Sequence, residues 1–239
     1  MDTVFYTLGY FAIALSGFLV FRPFDKQLAY RFGLLFVCYL VVDDFITGLP
    51  YAIDLFDLNP ARWNWAGKVY SLLFSAGVIV AFGMNTKATG LILPQRNVKT
   101  GAIALIPLIL MGVVLALMVQ PSPPSGETIA FQLLMPGLAE ELTFRGIAPA
   151  LLLGLVRNRN PPDRTPWIVI CIAAIPFGAV HGLSYSDGAF SFALGQSLWT
   201  ASGGIIYGWL RFSTGSLLYP LLAHSFTNLA FHLTPLIHP

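Results

Sequence analysis

Five ionisable side chains lie in segments that are otherwise strongly apolar. Glu140, Glu141 and Arg145 share one such stretch, and His181 and His224 lie in two later ones. An isolated charge in hydrocarbon costs several kcal/mol, so residues of this kind normally face a partner or a wet cavity. Carboxylates, imidazoles and a guanidinium on three separate segments therefore predict one shared polar chamber, equipped for acid–base chemistry.

The spacing of these residues predicts which of them share a helix face and pair with each other. Glu141 and Arg145 are four residues apart and share a helix face, where an ion pair makes the burial of both charges tolerable. Glu140 is rotated from Glu141 by about 100° and has no local cation, which leaves it free to meet another helix. His224 and Asn228 also share one face through a four-residue step.

The depths of these groups in their segments are similar. Glu140 and His181 each lie about 17 residues from the basic connector next to them, and His224 and Asn228 lie about 13 and 17 residues from theirs, at about 1.5 Å per residue. A lone histidine on an apolar helix is more often a packing residue. Two histidines at matching depth favour a site to which three helices contribute.

The composition of the chain explains why this placement matters. Of its 239 residues, 56% are hydrophobic and only 10% are charged, and the mean hydropathy is +0.73. These values are far from those of a soluble domain and indicate a membrane protein. The formal charge of +2 is too small to suggest nucleic acid as a partner.

Eight apolar segments approach the roughly 20 residues that a helix needs to cross a hydrocarbon core about 30 Å thick. Their approximate limits are 4–20, 32–53, 69–85, 102–120, 129–156, 167–183, 190–210 and 216–234. We therefore predict an all-α polytopic membrane protein with about eight transmembrane helices. Lys and Arg concentrate in alternate connectors, which predicts that those connectors are cytoplasmic and that both termini lie outside.

Two further carboxylates are left out of the predicted site. Asp43 and Asp44 fall within the second segment and could line a cavity. An interfacial bend ahead of Gly48-Leu49-Pro50 explains them about as well.

The three groups of residues resemble the signature of the CPBP family of intramembrane proteases. This family includes the CAAX prenyl endopeptidases, or Ras-converting enzymes, and bacterial bacteriocin-processing and self-immunity homologues. Its signature is a glutamate pair with an arginine four residues after the second glutamate, then Phe-x-x-x-His, then His-x-x-x-Asn. The matching residues are Glu140, Glu141 and Arg145 in the first motif, Phe177 and His181 in the second, and His224 and Asn228 in the third. Each motif alone is weak, but three in order within apolar segments are specific.

The resemblance implies an intramembrane endopeptidase that hydrolyses a peptide bond near the membrane. Glu140 would act as the general base, and His181 would hold the water and tune the carboxylate. Donors from His224 and Asn228 would meet the developing negative charge of the oxyanion. The buried ion pair would hold its helix and complete the electrostatics. The resemblance also implies two parts of the chain: residues 1–128 with about four N-terminal helices, and residues 129–239 with a four-helix catalytic core.

A zinc site remains an alternative. Glu140, His181 and His224 could bind zinc and leave an open coordination position, although the chain has no His-Glu-x-x-His motif. We favour a glutamic mechanism without a metal or other cofactor.

Two other functions stay open. One is a catalytically silent immunity or scaffold protein of the same fold, and the other is a proton-coupled transporter, which would also need buried Glu and His. The predicted partners are a peptide or protein substrate, with or without a lipid modification, and membrane lipid. We expect a multi-pass protein of a prokaryotic plasma membrane, because the chain is compact and shows no endoplasmic-reticulum retention tail. The sequence does not indicate an oligomeric state.

Overall fold

A computed structural model describes residues 2–57 and 61–237, and most of this part of the chain is helical. The helices are α1 (Asp2–Phe21), α2 (Tyr30–Ala52), α3 (Trp65–Ala81), α4 (Thr86–Thr89), α5 (Val98–Val119), α6 (Gly126–Glu141), α7 (Ala148–Leu152), α8 (Trp167–Gly182), α9 (Leu194–Thr214) and α10 (Leu218–Ile237). Short 3₁₀ turns follow α1 and α2, at Arg22–Phe24 and Asp54–Phe56. Two short strands, β1 (Leu183–Ser186) and β2 (Ala189–Phe192), form an antiparallel hairpin between α8 and α9.

The helices have the character of a membrane protein. Within the described residues, three are both long and apolar enough to cross a bilayer: α1 with its 3₁₀ turn, α2 and α5. Two shorter apolar helices, α3 and α8, have 17 and 16 residues. These features confirm a helical integral membrane protein. They support fewer spans than the eight predicted, because α9 and α10 mix apolar with small and polar residues and α6 ends after 16 residues.

The fifth predicted segment, 129–156, is not one regular helix. Its α6 part passes into a π-helical stretch, Leu142–Ile147, before α7 begins. Pro149 supplies a physical reason. Its nitrogen cannot donate to the carbonyl of Arg145 and its ring crowds that carbonyl, so the regular α-helical hydrogen bond between these two residues cannot form. A widened turn accommodates the proline, and such turns are frequent at functional sites.

The hairpin corrects the predicted start of the seventh segment at residue 190. Residues 183–192 form the two strands and their turn, and α9 begins only at Leu194. Asp187 and Gly188 have φ values of 52° and 78°, the left-handed pair that a two-residue type I′ hairpin turn requires. The Asp-Gly dipeptide is therefore the sequence signal for this hairpin.

The helices pack around two apolar clusters. The larger cluster joins α1, α2, α7 and α8 and includes Tyr10, Phe36 and Ile172, and the smaller one joins α5, α9 and α10. Helices α8 and α9 approach closely through glycines. A Cβ atom at Gly178 would lie 2.5 Å from the Ser197 carbonyl oxygen, and one at Gly208 would lie 2.7 Å from the Ile170 side chain. Small residues therefore hold α8, with its histidine, directly against α9.

Candidate active site

The structure brings Glu140, His181 and His224 together from helices α6, α8 and α10. Oε2 of Glu140 lies 3.9 Å from Nε2 of His181 and 3.9 Å from Nε2 of His224. The Glu140 side chain is 14% exposed, so it faces a cavity rather than the hydrocarbon around the protein. The polar chamber predicted from the sequence is therefore present at the meeting point of these three helices.

Glu141 anchors both a guanidinium and an imidazole. Its Oε1 lies 3.1 Å from Nη1 of Arg145 and accepts a hydrogen bond of 2.7 Å from Nδ1 of His224. All three side chains are buried. The Arg145 guanidinium also stacks 3.9 Å from the ring centroid of Phe177. Because a carboxylate only accepts, Nδ1 of His224 carries a proton and its Nε2 is turned towards Glu140.

His181 is oriented by its own helix. Its Nδ1 donates to the Phe177 carbonyl oxygen at 2.8 Å, because a carbonyl can only accept. In the neutral imidazole, Nε2 is then an acceptor facing Glu140. The Phe177 ring packs edge-on against both histidines, with centroid separations of 4.9 Å to His181 and 6.1 Å to His224. Phe177 is therefore the packing centre of the site as well as a motif residue.

Asn228 lies beside His224 on the same cavity wall. Its Nδ2 donates to Oε1 of Gln132 at 3.0 Å. Gln132 is a buried residue on α6, two turns before Glu140, and the sequence prediction did not include it. The signal that could have identified it is a lone amide within the same apolar stretch as the glutamates.

A lysine from the N-terminal part of the chain binds Glu140. The Nζ atom of Lys68 on α3 lies 2.7 Å from Oε1 of Glu140. Glu140 has no local cation in the sequence, but Lys68 reaches it from another helix. The sequence did not indicate this contact, because Lys68 lies at the edge of the third apolar segment and was counted with the outer connector. Asn64 fixes this end of α3, since it accepts from the Gly67 nitrogen at 2.9 Å and donates to the Thr47 carbonyl oxygen at 2.7 Å.

Asp43 also lies next to this site, contrary to the explanation by an interfacial bend. Helix α2 continues through Pro50 to Ala52, and Asp43 lies within it as a buried residue. Its carboxylate is buried and accepts hydrogen bonds from Ser71 at 2.7 Å and from Thr143 at 3.2 Å. Asp43 and Asp44 line a smaller cavity that shares residues with the site.

A cavity of about 880 Å³ opens in front of Glu140 and the two histidines. Much of its wall is aromatic or aliphatic, and the polar groups of the site form part of it. Representative lining residues are Trp63, Met111, Phe131, Trp199, Phe231 and Asn228. A large, mostly apolar cavity with a few converging polar groups is the usual form of a binding site for a small molecule or a hydrophobic segment.

The same residues can be tested as zinc ligands. The donor types suit zinc, but the 3.9 Å from Oε2 to each imidazole nitrogen exceeds the roughly 3.3 Å between neighbouring ligands at a tetrahedral zinc. The Lys68 ammonium also holds the other carboxylate oxygen and would repel a divalent cation. Among the described residues, no group of three His, Cys, Asp or Glu has a metal-binding arrangement. The separations and the bound ammonium therefore do not fit a zinc ion at this site.

Comparison with known families gives one match. A family model described as Type II CAAX prenyl endopeptidase Rce1-like matches residues 127–230. The matched segment runs from the start of α6 into α10 and contains all three motifs. The match confirms the resemblance to the CPBP proteases inferred from those motifs. Searches of curated proteins and of solved structures give no match.

Proposed function

We propose that this chain, whose residues 127–230 form an Rce1-like segment of the type II CAAX prenyl endopeptidase family, is an intramembrane peptidase that uses Glu140 and His181 to activate water. The observation that carries the proposal is the convergence of two imidazole nitrogens on one carboxylate oxygen, each nitrogen 3.9 Å from that oxygen. These groups come from three helices and face the large cavity. Such a constellation suits hydrolysis better than passive binding.

The separations in the site suit a shared water molecule. A distance of 3.9 Å is too long for a direct hydrogen bond and fits two polar groups that are bridged by water. Oε2 of Glu140 is buried and has no hydrogen-bond partner among the described residues. A water there would donate one O–H to Oε2 and the other to Nε2 of His181. Its lone pair is then free to attack a substrate carbonyl.

The proposed reaction is a general-base hydrolysis. Water attacks the carbonyl carbon of the peptide bond while Glu140 accepts one of the water protons. When the tetrahedral intermediate collapses, the C–N bond breaks and Glu140 returns that proton to the leaving nitrogen. The products are a carboxylic acid and an amine, and one water is consumed. Glu140 is regenerated as a carboxylate, which the Lys68 ammonium stabilises.

Two side chains are placed to meet the oxyanion. Asn228 uses one N–H on Gln132, and its second N–H is free to donate to the developing charge. His224 can donate through Nε2 only when both ring nitrogens are protonated. Its Nδ1 is held by Glu141, which is itself paired with Arg145. We therefore assign Glu141 and Arg145 the role of orienting His224, rather than of contacting substrate.

The large cavity suggests the class of substrate. A volume of about 880 Å³ with aromatic walls suits a hydrophobic peptide segment or a lipid-modified one. We propose a peptide or protein substrate of that kind, presented from the surrounding membrane.

We also propose that the chain crosses the membrane eight times, in a prokaryotic plasma membrane. The eight crossings would be α1, α2, α3, α5, α6 with α7, α8, α9 and α10. Helices α3 and α8 would each span about 25 Å at 1.5 Å per residue, and a bilayer thins around short helices. The division into residues 1–128 and 129–239 stays a prediction, and the Lys68–Glu140 contact indicates that both parts contribute to one site.

Mass spectrometry of membrane peptides tests the proposed function. Cells that produce the wild-type protein are compared with cells that produce Glu140→Gln at equal abundance. We expect peptides with new termini only with the wild type. Identical peptide sets would contradict a peptidase and favour a scaffold, whereas substrate flux in proteoliposomes without cleavage would favour a transporter.

A further inference from the structure

A second, smaller cavity lies behind Glu140, on the side of the N-terminal helices. Its volume is about 200 Å³. Besides the site residues Lys68, Glu140 and His181, the polar residues that line it are Tyr10, Asp43, Asp44, Thr47, Ser71 and Thr143. They come from α1, α2, α3 and the π-helical stretch, so helices outside the Rce1-like segment supply about half of this cavity's wall. The proposed reaction gives these polar residues no task.

The wall of this cavity is held by a hydrogen-bonded network. Asp43 accepts from Ser71 and from Thr143, at 2.7 and 3.2 Å. Tyr39 donates to the same Thr143 hydroxyl at 3.3 Å and bonds Ser75 at 2.8 Å. Burial of carboxylates and hydroxyls in an apolar interior costs free energy unless these groups are hydrogen-bonded. The network therefore keeps a polar surface facing the cavity.

The hydroxyl of Tyr10 indicates that the cavity holds water. Its side chain is completely buried, yet its hydroxyl has no hydrogen-bond partner among the described residues. Buried hydroxyls without a protein partner are normally satisfied by internal water. A water needs about 10–15 Å³ of such volume and two or more polar partners, so 200 Å³ lined by carboxylates and hydroxyls holds several.

The two cavities share a wall at the reacting groups. Thr47, Lys68, Glu140 and His181 line both of them. A hydrophobic substrate in the large cavity would displace water from that side. Each turnover nevertheless consumes one water molecule, which must reach the space between Glu140 and His181 by another route.

We propose that the small cavity is an internal water store that supplies the hydrolytic water to Glu140 from behind. This inference rests on the proposed peptidase function. With this store, a substrate can fill the large cavity while water reaches Glu140 from the small cavity beside Asp43. Lys68 and Thr47 form the boundary through which the water passes.

A graded series at Ser71 tests the supply role. Ser71→Ala, Ser71→Val and Ser71→Leu all lack the hydroxyl that bonds Asp43, and they differ only in how much of the cavity they fill. We expect kcat to fall progressively along the series, by roughly ten-fold from the alanine to the leucine variant, with little change in KM. Equal kcat for the folded alanine and leucine variants would overturn the proposal, because lost hydrogen bonding alone affects all three alike.

A labelling experiment tests the water itself and does not depend on activity or on the stability of the Ser71 variants. Hydroxyl radicals generated by X-rays modify side chains that lie beside bound water. Tyr10 and Phe36 are equally buried aromatic residues, and only Tyr10 lines the cavity. We expect rapid modification of Tyr10 in the wild-type protein and none of Phe36. Equal protection of both residues would overturn the proposal.

The outcomes separate this inference from the proposed function. If Tyr10 is labelled and Glu140→Gln loses cleavage, but Ser71→Leu does not, water fills the cavity without supplying the reaction. That result removes the supply role and leaves the peptidase. Wild-type cleavage by Glu140→Gln removes the peptidase mechanism and the supply role with it.

Discussion

Lys68 and Glu140 form an ion pair of 2.7 Å across 72 residues of the chain, joining α3 to α6. The lysine holds Oε1 of the carboxylate, and Oε2 is left facing the two imidazoles at 3.9 Å. A helix outside the Rce1-like segment therefore supplies the charge that orients the proposed base.

Replacing Lys68 tests this orientation. Lys68→Met removes the cation and its hydrogen bond, so Glu140 loses the contact that aims Oε2. We expect kcat to fall by roughly ten- to a hundred-fold, the range of a hydrogen bond to a charged group, with KM little changed. Lys68→Arg, which keeps the charge, is expected to restore part of the loss. The matched control is Lys99→Met, an exposed lysine at the start of α5. Equal activity of Lys68→Met and the control would show that the pair has no role in turnover.

The buried pair of Glu141 and Arg145 leads to a stability prediction. Arg145→Met would leave the Glu141 carboxylate buried with only His224 as a charge partner. Removal of one member of a buried ion pair costs about 3–5 kcal/mol. We expect a clear drop in the thermal unfolding midpoint in detergent, together with loss of activity. An unchanged midpoint would mean that the guanidinium does not stabilise the fold.

The link between Gln132 and Asn228 can be measured with a double-mutant cycle. If Gln132 acts only by orienting the Asn228 amide, Gln132→Ala and Asn228→Ala should each lower kcat, and the double variant should be little worse than Asn228→Ala. Additive losses would indicate that the two side chains act independently. Substrate affinity is expected to change little, because the amide is proposed to act on the oxyanion.

Several features of the site follow from the sequence because they depend on local spacing. The four-residue steps from Glu141 to Arg145 and from His224 to Asn228 fix shared helix faces, and the apolar context indicates burial. The structure adds that Glu141 reaches across to His224 on α10.

The residues that sequence analysis missed make long-range contacts. Lys68, Gln132 and Asp43 contact partners on other helices, and no spacing within one helix predicts such a contact.

The hairpin was missed for another reason. Its Asp187-Gly188 turn is a local signal, but the apolar residues around it resemble the start of a membrane helix.

Metal removal provides a prediction about mechanism. With Lys68 bound to Glu140, we expect full cleavage activity after exhaustive chelation and no stimulation by added zinc. The measurement is turnover of the purified protein before and after dialysis against a chelator, with metal content determined in parallel. Loss of activity that only zinc restores would contradict the glutamic mechanism.

The role of Glu140 is tested most directly by hydrolysis of an identified substrate in ¹⁸O-labelled water with purified wild-type and Glu140→Gln proteins. We expect one ¹⁸O atom in the newly formed carboxyl group with the wild type. Turnover by folded Glu140→Gln is expected to fall by roughly a hundred- to ten-thousand-fold, the usual loss when a general base is removed. Turnover of Glu140→Gln at the wild-type rate would show that Glu140 is not the base.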